Sequence, residues 1–441
     1  MTQDKRSWYV LSFEHFEKSL NGLSSGAIHA VRKSAIARFA ELGFPTTHDE
    51  EWKFTDVTPL KGVEFVPVLS YNSDGLTVKD IEKFLPKNFV CNRLVCVNGH
   101  YSEELSSVLS QTQRVKMGSL AEAMRTDGEL VSAHLGQHAR FDENAFTALN
   151  TAFVNDGVFV SIPDRTIVED PIYLLFISTA LDTKFVSQPR NLIVLGKNSQ
   201  ASIVEAYASL SDNIYFTNSV TEVVMGENAI IEHEKVQEES ARAFHVSRTQ
   251  VHQGRDSNFV SNSFAFGGSL VRNDIVATMD GEGSEATLNG LYLANGSQHI
   301  DNHTTMDHAK PRCNSHELYK GILGGKSRGV FNGKIFVRKD AQKTDAKQTN
   351  KNLLLSDHAS IDTKPQLEIF ANDVKCTHGA TIGQLDEEQL FYLRARGIGA
   401  EDARTMLIYA FASDVIDRVH VEALRDRLHN VMHAKLGEGT E

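Results

Sequence analysis

Cysteine is scarce in this chain: four residues in 441, at positions 91, 96, 313 and 376. A disulfide framework would need a denser set, so this spread fits a reducing compartment. No apolar run approaches the roughly 20 residues that a membrane span needs, and the opening Met1-Thr-Gln-Asp-Lys-Arg-Ser-Trp8 has no apolar signal region. These absences predict a soluble, cytoplasmic protein. Basic residues are outnumbered, 45 against 57 acidic, for a formal charge of −12. With no basic stripe carrying interleaved aromatics, nucleic acid is a poor candidate partner. Also missing is a Gly-x-Ser-x-Gly elbow for a nucleophilic serine. Catalytic groups need not be neighbours in sequence, so this weakens an enzyme reading without excluding it.

The length allows two or three domains, each with its own core. From Phe13 to Leu42 apolar residues fall at helical spacing among many alanines, with Gly43 and Pro45 behind them as a stop. A mixed region follows to about residue 165, with a strand-like Arg93–Asn98 and a helix around Leu120–Thr126. From Ile167 the texture becomes short β-branched and apolar runs broken by Gly, Asn, Asp or Ser. Turn-like phrases begin at Gly196, Gly226, Gly254 and Gly283, with another at Ser356. The first four recur about every 29 residues without intervening helices, which predicts a coil of stacked β-strands; a β-sandwich is the alternative. The spacing breaks after Gly283, and Asn302–Ser315 reads as an inserted loop. At Asp386 a capping residue and acidic first turn open a helix that stops at Gly397. Further helices span Ala400–Phe411 and the stretch to about His433, a bundle suited to covering the open end of a solenoid. The expected division is 1–165, 166–385 and 386–441.

Gly321-Ile-Leu-Gly-Gly-Lys-Ser327 imitates a phosphate-binding loop but is one residue short, and the following Arg328–Val337 reads as strand instead of the required helix. His303, His308, Cys313 and His316 crowd together without zinc-like spacing; Cys313 is nevertheless kept as a possible metal ligand. His358 lies in a turn phrase and reads as structural, and Cys91 and Cys96 read as core cysteines. Cys376 and His378 stand apart. On an extended strand, residues two apart share one face roughly 6.6 Å apart, so a thiol and an imidazole could hold a metal or cluster together. Iron and zinc ask for about four ligands, which makes the pair half a site; core packing is the alternative. Parallel β-helices also include polysaccharide-cleaving enzymes, but no clustered acid pair marks one here.

Three pieces resemble the SufB/SufD family of iron-sulfur cluster assembly scaffolds: Asp307-His-Ala-Lys-Pro-Arg-Cys-Asn-Ser-His-Glu-Leu-Tyr-Lys-Gly-Ile-Leu323; Phe331-Asn-Gly-Lys-Ile-Phe-Val337 with Ala346-Lys-Gln-Thr-Asn-Lys-Asn-Leu-Leu-Leu-Ser356; and Cys376-Thr-His-Gly-Ala-Thr381 leading to Leu390-Phe-Tyr-Leu-Arg-Ala-Arg-Gly-Ile398. Glu50-Glu-Trp-Lys-Phe-Thr55 is similar too. The likeness is to the SufD side. Where SufB carries a cysteine before the Leu-Leu run and a His-Glu pair in the final strand, this chain has Asn350 and His378-Gly379. The resemblance implies a mainly β fold, a right-handed parallel β-helix flanked by an N-terminal helical region and a small C-terminal helical domain. It further implies a non-catalytic scaffold that pairs with SufB through the β-helix and docks a SufC ATPase on its C-terminal helices. The implied complex holds one SufB, two SufC and one SufD, and the isolated chain could form a homodimer. Cys376 and His378 would then face SufB across a transient iron-sulfur cluster or iron, with no cofactor held tightly by the isolated chain.

Overall fold

The computed structural model describes residues 5–20, 26–70, 75–109 and 114–437. Helices α1 (Lys5–Ser19) and α2 (Ala27–Leu42) account for the N-terminal periodicity; residues 21–25 lie outside the described set. Short pieces follow: α3 (Thr58–Lys61), β1 (Val66–Pro67), α4 (Val78–Ile81), β2 (Asn92–Val97), β3 (His100–Ser107), β4 (Lys116–Ser119), α5 (Leu120–Thr126), α6 (Gly128–His134) and α7 (Ala145–Ala152). The expected strand and helix at 93–98 and 120–126 are β2 and α5.

Eight coils of parallel strands come next, two strands to a coil. One sheet stacks β5 (Val158–Ile162), β8 (Arg190–Leu195), β10 (Phe216–Met225), β12 (Phe244–Gln253), β14 (Leu270–Met279), β16 (His299–His308), β18 (Arg328–Val337) and β20 (Ser360–Ile369). The other stacks β6 (Ile172–Ser178), β9 (Gln200–Ser209), β11 (Ile230–Glu238), β13 (Asn258–Ala265), β15 (Glu285–Ala294), β17 (Asn314–Leu323), β19 (Asp345–Leu354) and β21 (Lys375–Gly383). This is the parallel β-helix that the sequence predicts. At its start β2, β3 and β4 extend the two sheets, β3 and β4 in antiparallel pairing, while β1 joins the short β7 (Phe185–Ser187).

The corners explain the recurring phrases. Asn198, Asn228, Asp256 and Gly283 occupy left-handed backbone positions (φ 55°, 55°, 52° and 73°), and Arg312 (60°) and Lys343 (65°) continue the column. Each hands its N–H to the next coil, as in Asn198 to the Glu227 carbonyl and Arg312 to the Gln342 carbonyl. The expected inserted loop at Asn302–Ser315 is therefore wrong: it contains most of β16, a corner and the start of β17, all in phase. The break was only in residue type, because the left-handed position passes from Asn, Asp or Gly to Arg and Lys, which rarely adopt it.

Alternate residues of each strand point into the coil, where Ile203, Ile231, Phe259, Leu288, Phe331 and Ile335 belong to one buried cluster. Outside the first sheet, Phe13, Phe16, Phe39, Trp52 and Phe146 pack with Phe216 and Phe244, so the N-terminal helices cover that face. Outside the second sheet, Ile408, Ala412, Val415, Leu424 and Leu428 of α9 (Ala400–Ile416) and α10 (Glu422–Gly437) pack with Leu291, Leu293, Ile322 and Leu353. Charges lock this contact: Lys320 pairs with Asp414 at 2.7 Å, and Arg427 pairs with Glu238. The expectation that these helices cover the open end thus fails. They flank the second sheet because the continuous apolar surface lies there.

Candidate functional site

Strands β20 and β21 end their sheets, and side chains that would be interior in an earlier coil are open to solvent there. Ile369 and Ile382, opposite the buried Val337 and Asn352, are 38 and 51 % exposed, and the outward Phe370 beside them is 58 % exposed. Helix α8 (Glu387–Ala395), capped by Asp386 through the N–H groups of Glu388 and Gln389, buries none of its residues.

Cys376 and His378 sit on β21, extended as expected. Their register partners on β19 are Ala346 and Gln348, both buried, which puts the pair on the inward row of the last coil. Cys376 is half-buried against the interior apolar column, whereas His378 is exposed. Burial raises the Cys376 thiol and Asp345 adds to this, while a backbone hydrogen bond with Ala346 works the other way. The sulfur is therefore a protonated thiol at neutral pH, and a metal would have to displace its proton to bind it.

Behind His378 lies a column that no local motif announces. Register runs His378, Gln348, Glu317, Leu288 from β21 to β15. Gln348 donates from Nε2 to Glu317 Oε2 at 2.7 Å, and burial pushes the Glu317 carboxyl up to about 7. One residue pair along, Asn352 Nδ2 donates to Asn350 Oδ1 at 2.6 Å and Tyr292 Oη donates to Asn352 Oδ1 at 2.9 Å. The spacings 317, 348 and 378 match the coil period, which is the sequence signal that could have found them.

The other candidates disperse. Cys313 is fully buried at a corner, 3.3 Å from both the Ser284 hydroxyl and the Gly281 carbonyl, and burial raises its thiol. His308 faces inward with its Nε2 2.9 Å from Ser315 Oγ, and burial takes it down to about 4. His316 is exposed on the opposite face of its strand. His303 points out of the first sheet, 3.1 Å from Asp301 and 3.6 Å from Glu51. Burial and Arg272 oppose its protonation, but these carboxylates prevail and hold it above the usual histidine range. Among the described residues, no three or more His, Cys, Asp or Glu side chains form a group that could hold a metal. Gly321 lies within β17, and Gly324 and Gly325 precede β18, so the near-miss phosphate loop is strand, corner, strand. Cys96 is in the interior core and Cys91 packs beside the core of the second sheet's outer face.

The Glu50–Thr55 phrase has a structural job. Glu51 pairs with Lys334 at 3.1 Å, Glu50 with Lys364, Trp52 lies under the Arg272 guanidinium at 4.0 Å, and Thr55 donates to Asp301. One short segment thereby ties four coils, β14 through β20, to the N-terminal region.

These features meet in the comparisons. The SufBD core domain of the SUF system for FeS cluster assembly matches residues 176–411, and the SufBD protein N-terminal region matches residues 3–174. An iron-sulfur cluster assembly SufBD family protein of Synechocystis is 34% identical over 94% of this chain and 93% of its own length. The iron-sulfur cluster assembly protein SufD of Escherichia coli is 32% identical over 89% of each chain, and the SufD of Bacillus subtilis 28% identical over 71% and 72%. With a two-sheet parallel β-helix, helices on both flanks and both family regions present end to end, this chain belongs to the SufBD family of iron-sulfur cluster assembly proteins.

Proposed function

We propose that this chain is a SufD-type, non-enzymatic scaffold subunit that pairs with SufB through the final coil and lends Cys376 and His378 to a transient iron or iron-sulfur cluster at the joint. The observation that carries this reading is the uncovered end: a strand edge, apolar side chains in water and two metal-binding residue types on one row. A thiolate suits iron, and an imidazole adds a weaker bond that favours handing a cluster on. The exposed α8 and its neighbours α9 and α10 are the proposed seat of a SufC ATPase, with 1–165, 166–385 and 386–441 as working units. In the isolated chain the same strand edge would join two copies.

Tagged protein from its native host should bring down both a homologous SufB and the ATPase; recovery of neither refutes the scaffold reading. Within that complex, isolated without oxygen, Cys376→Ala and His378→Ala are each expected to lower bound iron and sulfide while subunit stoichiometry stays intact. Unchanged cluster content in both variants would return the pair to a packing role. Cys313→Ser serves as the third arm: a loss of iron with stable folding would make Cys313 a ligand as well.

A further inference from the structure

On the outer face of the first sheet, between the segment 138–144 that follows α6 and the turn at Glu51 and Trp52, lies a cavity of about 510 Å³. That size is typical of small-molecule sites. Four of its cations are Arg140, Arg248, Arg272 and Lys334, and three of these are matched. Arg272 is held by Asp274 at 2.7 Å and Asp301 at 2.9 Å, Lys334 by Glu51 at 3.1 Å, and Arg140 by Asp142 at 2.7 Å.

Arg248 is left over. Its Nη2 donates to Gln250 Oε1 at 2.9 Å, its Nε is buried without a partner, and it forms no ion pair among the described residues. The neighbouring carboxylates favour its charge through space, but each is bonded to a closer cation. Asp274, its register partner on β14, is turned to Arg272, and Glu222 on β10 is clasped by Arg190 at 2.5 Å. On the rim His138 stacks on His252 at 4.6 Å, which turns that ring's face to its neighbour. The Arg248 Nε is closed off from the cavity, but Arg248 is partly exposed and lines it, and of the five N–H donors in its planar fork one bonds Gln250. Bidentate oxyanions fit that fork.

We infer that this cavity binds a small oxyanion, a phosphate or a carboxylate, on the Arg248 guanidinium. Glu51, Asp142, Glu143 and Asp274 also line the cavity and offset most of its positive charge, so a small anion is favoured over a polyphosphate, which would meet repulsion. Trp52 offers no stacking platform because Arg272 already covers it.

The test is calorimetric titration of the full chain with inorganic phosphate and, separately, with malonate. At least one should bind with a Kd below about 1 mM, and the one that binds identifies the source chemistry. Arg248→Gln should weaken that binding at least about tenfold. Val276→Glu, on a strand beside Arg248, keeps the arginine and offers it an internal carboxylate; it should abolish binding even if Arg248→Gln fails to fold. No binding of either probe to the parent chain, or equal binding to folded forms of both variants, overturns the assignment. The scaffold reading is independent of either result.

Discussion

Glu205 and Glu317 are both buried inside the coil, yet their surroundings drive them apart. Burial raises Glu205, but His233 at 3.0 Å, Lys235 and the Tyr207 hydroxyl at 2.5 Å outweigh it and hold the carboxyl at about 2. Among the described residues no cation acts on Glu317, only neutral donors in Gln348 and Thr304, so burial prevails and the group rises from 4.5 to about 7. The folded chain thus holds this proton more tightly than the unfolded chain. Its contribution to stability is full below pH 4.5, is lost as pH rises toward 7 and stays lost above. Glu317→Gln keeps an oxygen for Gln348 while removing the titration. In urea unfolding the variant should match the parent at pH 4 and exceed it at pH 8, by at most about 3 kcal/mol; parallel pH profiles would contradict the assignment. Such a residue is invisible to motif search, since its character comes from burial two coils behind the open end.

At the level of strands, adjacent coils interlock by exchanging large and absent side chains. Tyr319 on β17 faces Gly290 on β15, and Tyr292 on β15 faces Gly321 on β17. A Cβ on Gly290 would sit 2.2 Å from the Tyr319 ring, and one on Gly321 2.4 Å from that of Tyr292. Gly321 is therefore a steric requirement of the coil, which gives the first glycine of the near-miss phosphate loop a purpose without a nucleotide. Gly321→Ala should lower stability by about 1–3 kcal/mol through overpacking, read as a shift in the denaturant midpoint at unchanged slope; a neutral result would mean that Tyr292 has room to move. Strand texture and period were legible over the first coils because Asn, Asp and Gly mark their corners. They became illegible at Arg312 and Lys343, where hydrogen bonding to the next coil stabilises a backbone shape those residues seldom choose.

For the whole molecule, three apolar regions are stacked side by side: N-terminal helices, coil interior and C-terminal helices, with the two sheets between them. The middle one does not depend on the third, but the second sheet's outer face does. A chain ended at residue 384 would bare Leu291, Leu293, Ile322 and Leu353 together, each now buried. Since a fully buried aliphatic side chain is stabilised by roughly 1.5–3 kcal/mol, this truncation should leave the coils formed but make the protein bind a hydrophobic dye and self-associate. A monodisperse, dye-silent product would show that the helices are dispensable for solubility. The full chain still exposes its final coil, so a homologous partner should suppress any dye binding that remains there.

Local chemistry in the sequence determined the element types, the roughly 29-residue coil, the helices beginning at Asp386 and the placing of Cys376 and His378 on one row, because β alternation and capping act over a few residues. Tertiary structure alone decided what stands behind that row and what covers it. Glu317 and Gln348 align with His378 only once every corner is in phase. The terminal helices settle on the sheet flanks, and the end stays open, because burial of apolar area chooses the largest complementary face, a quantity set by residues hundreds of positions apart.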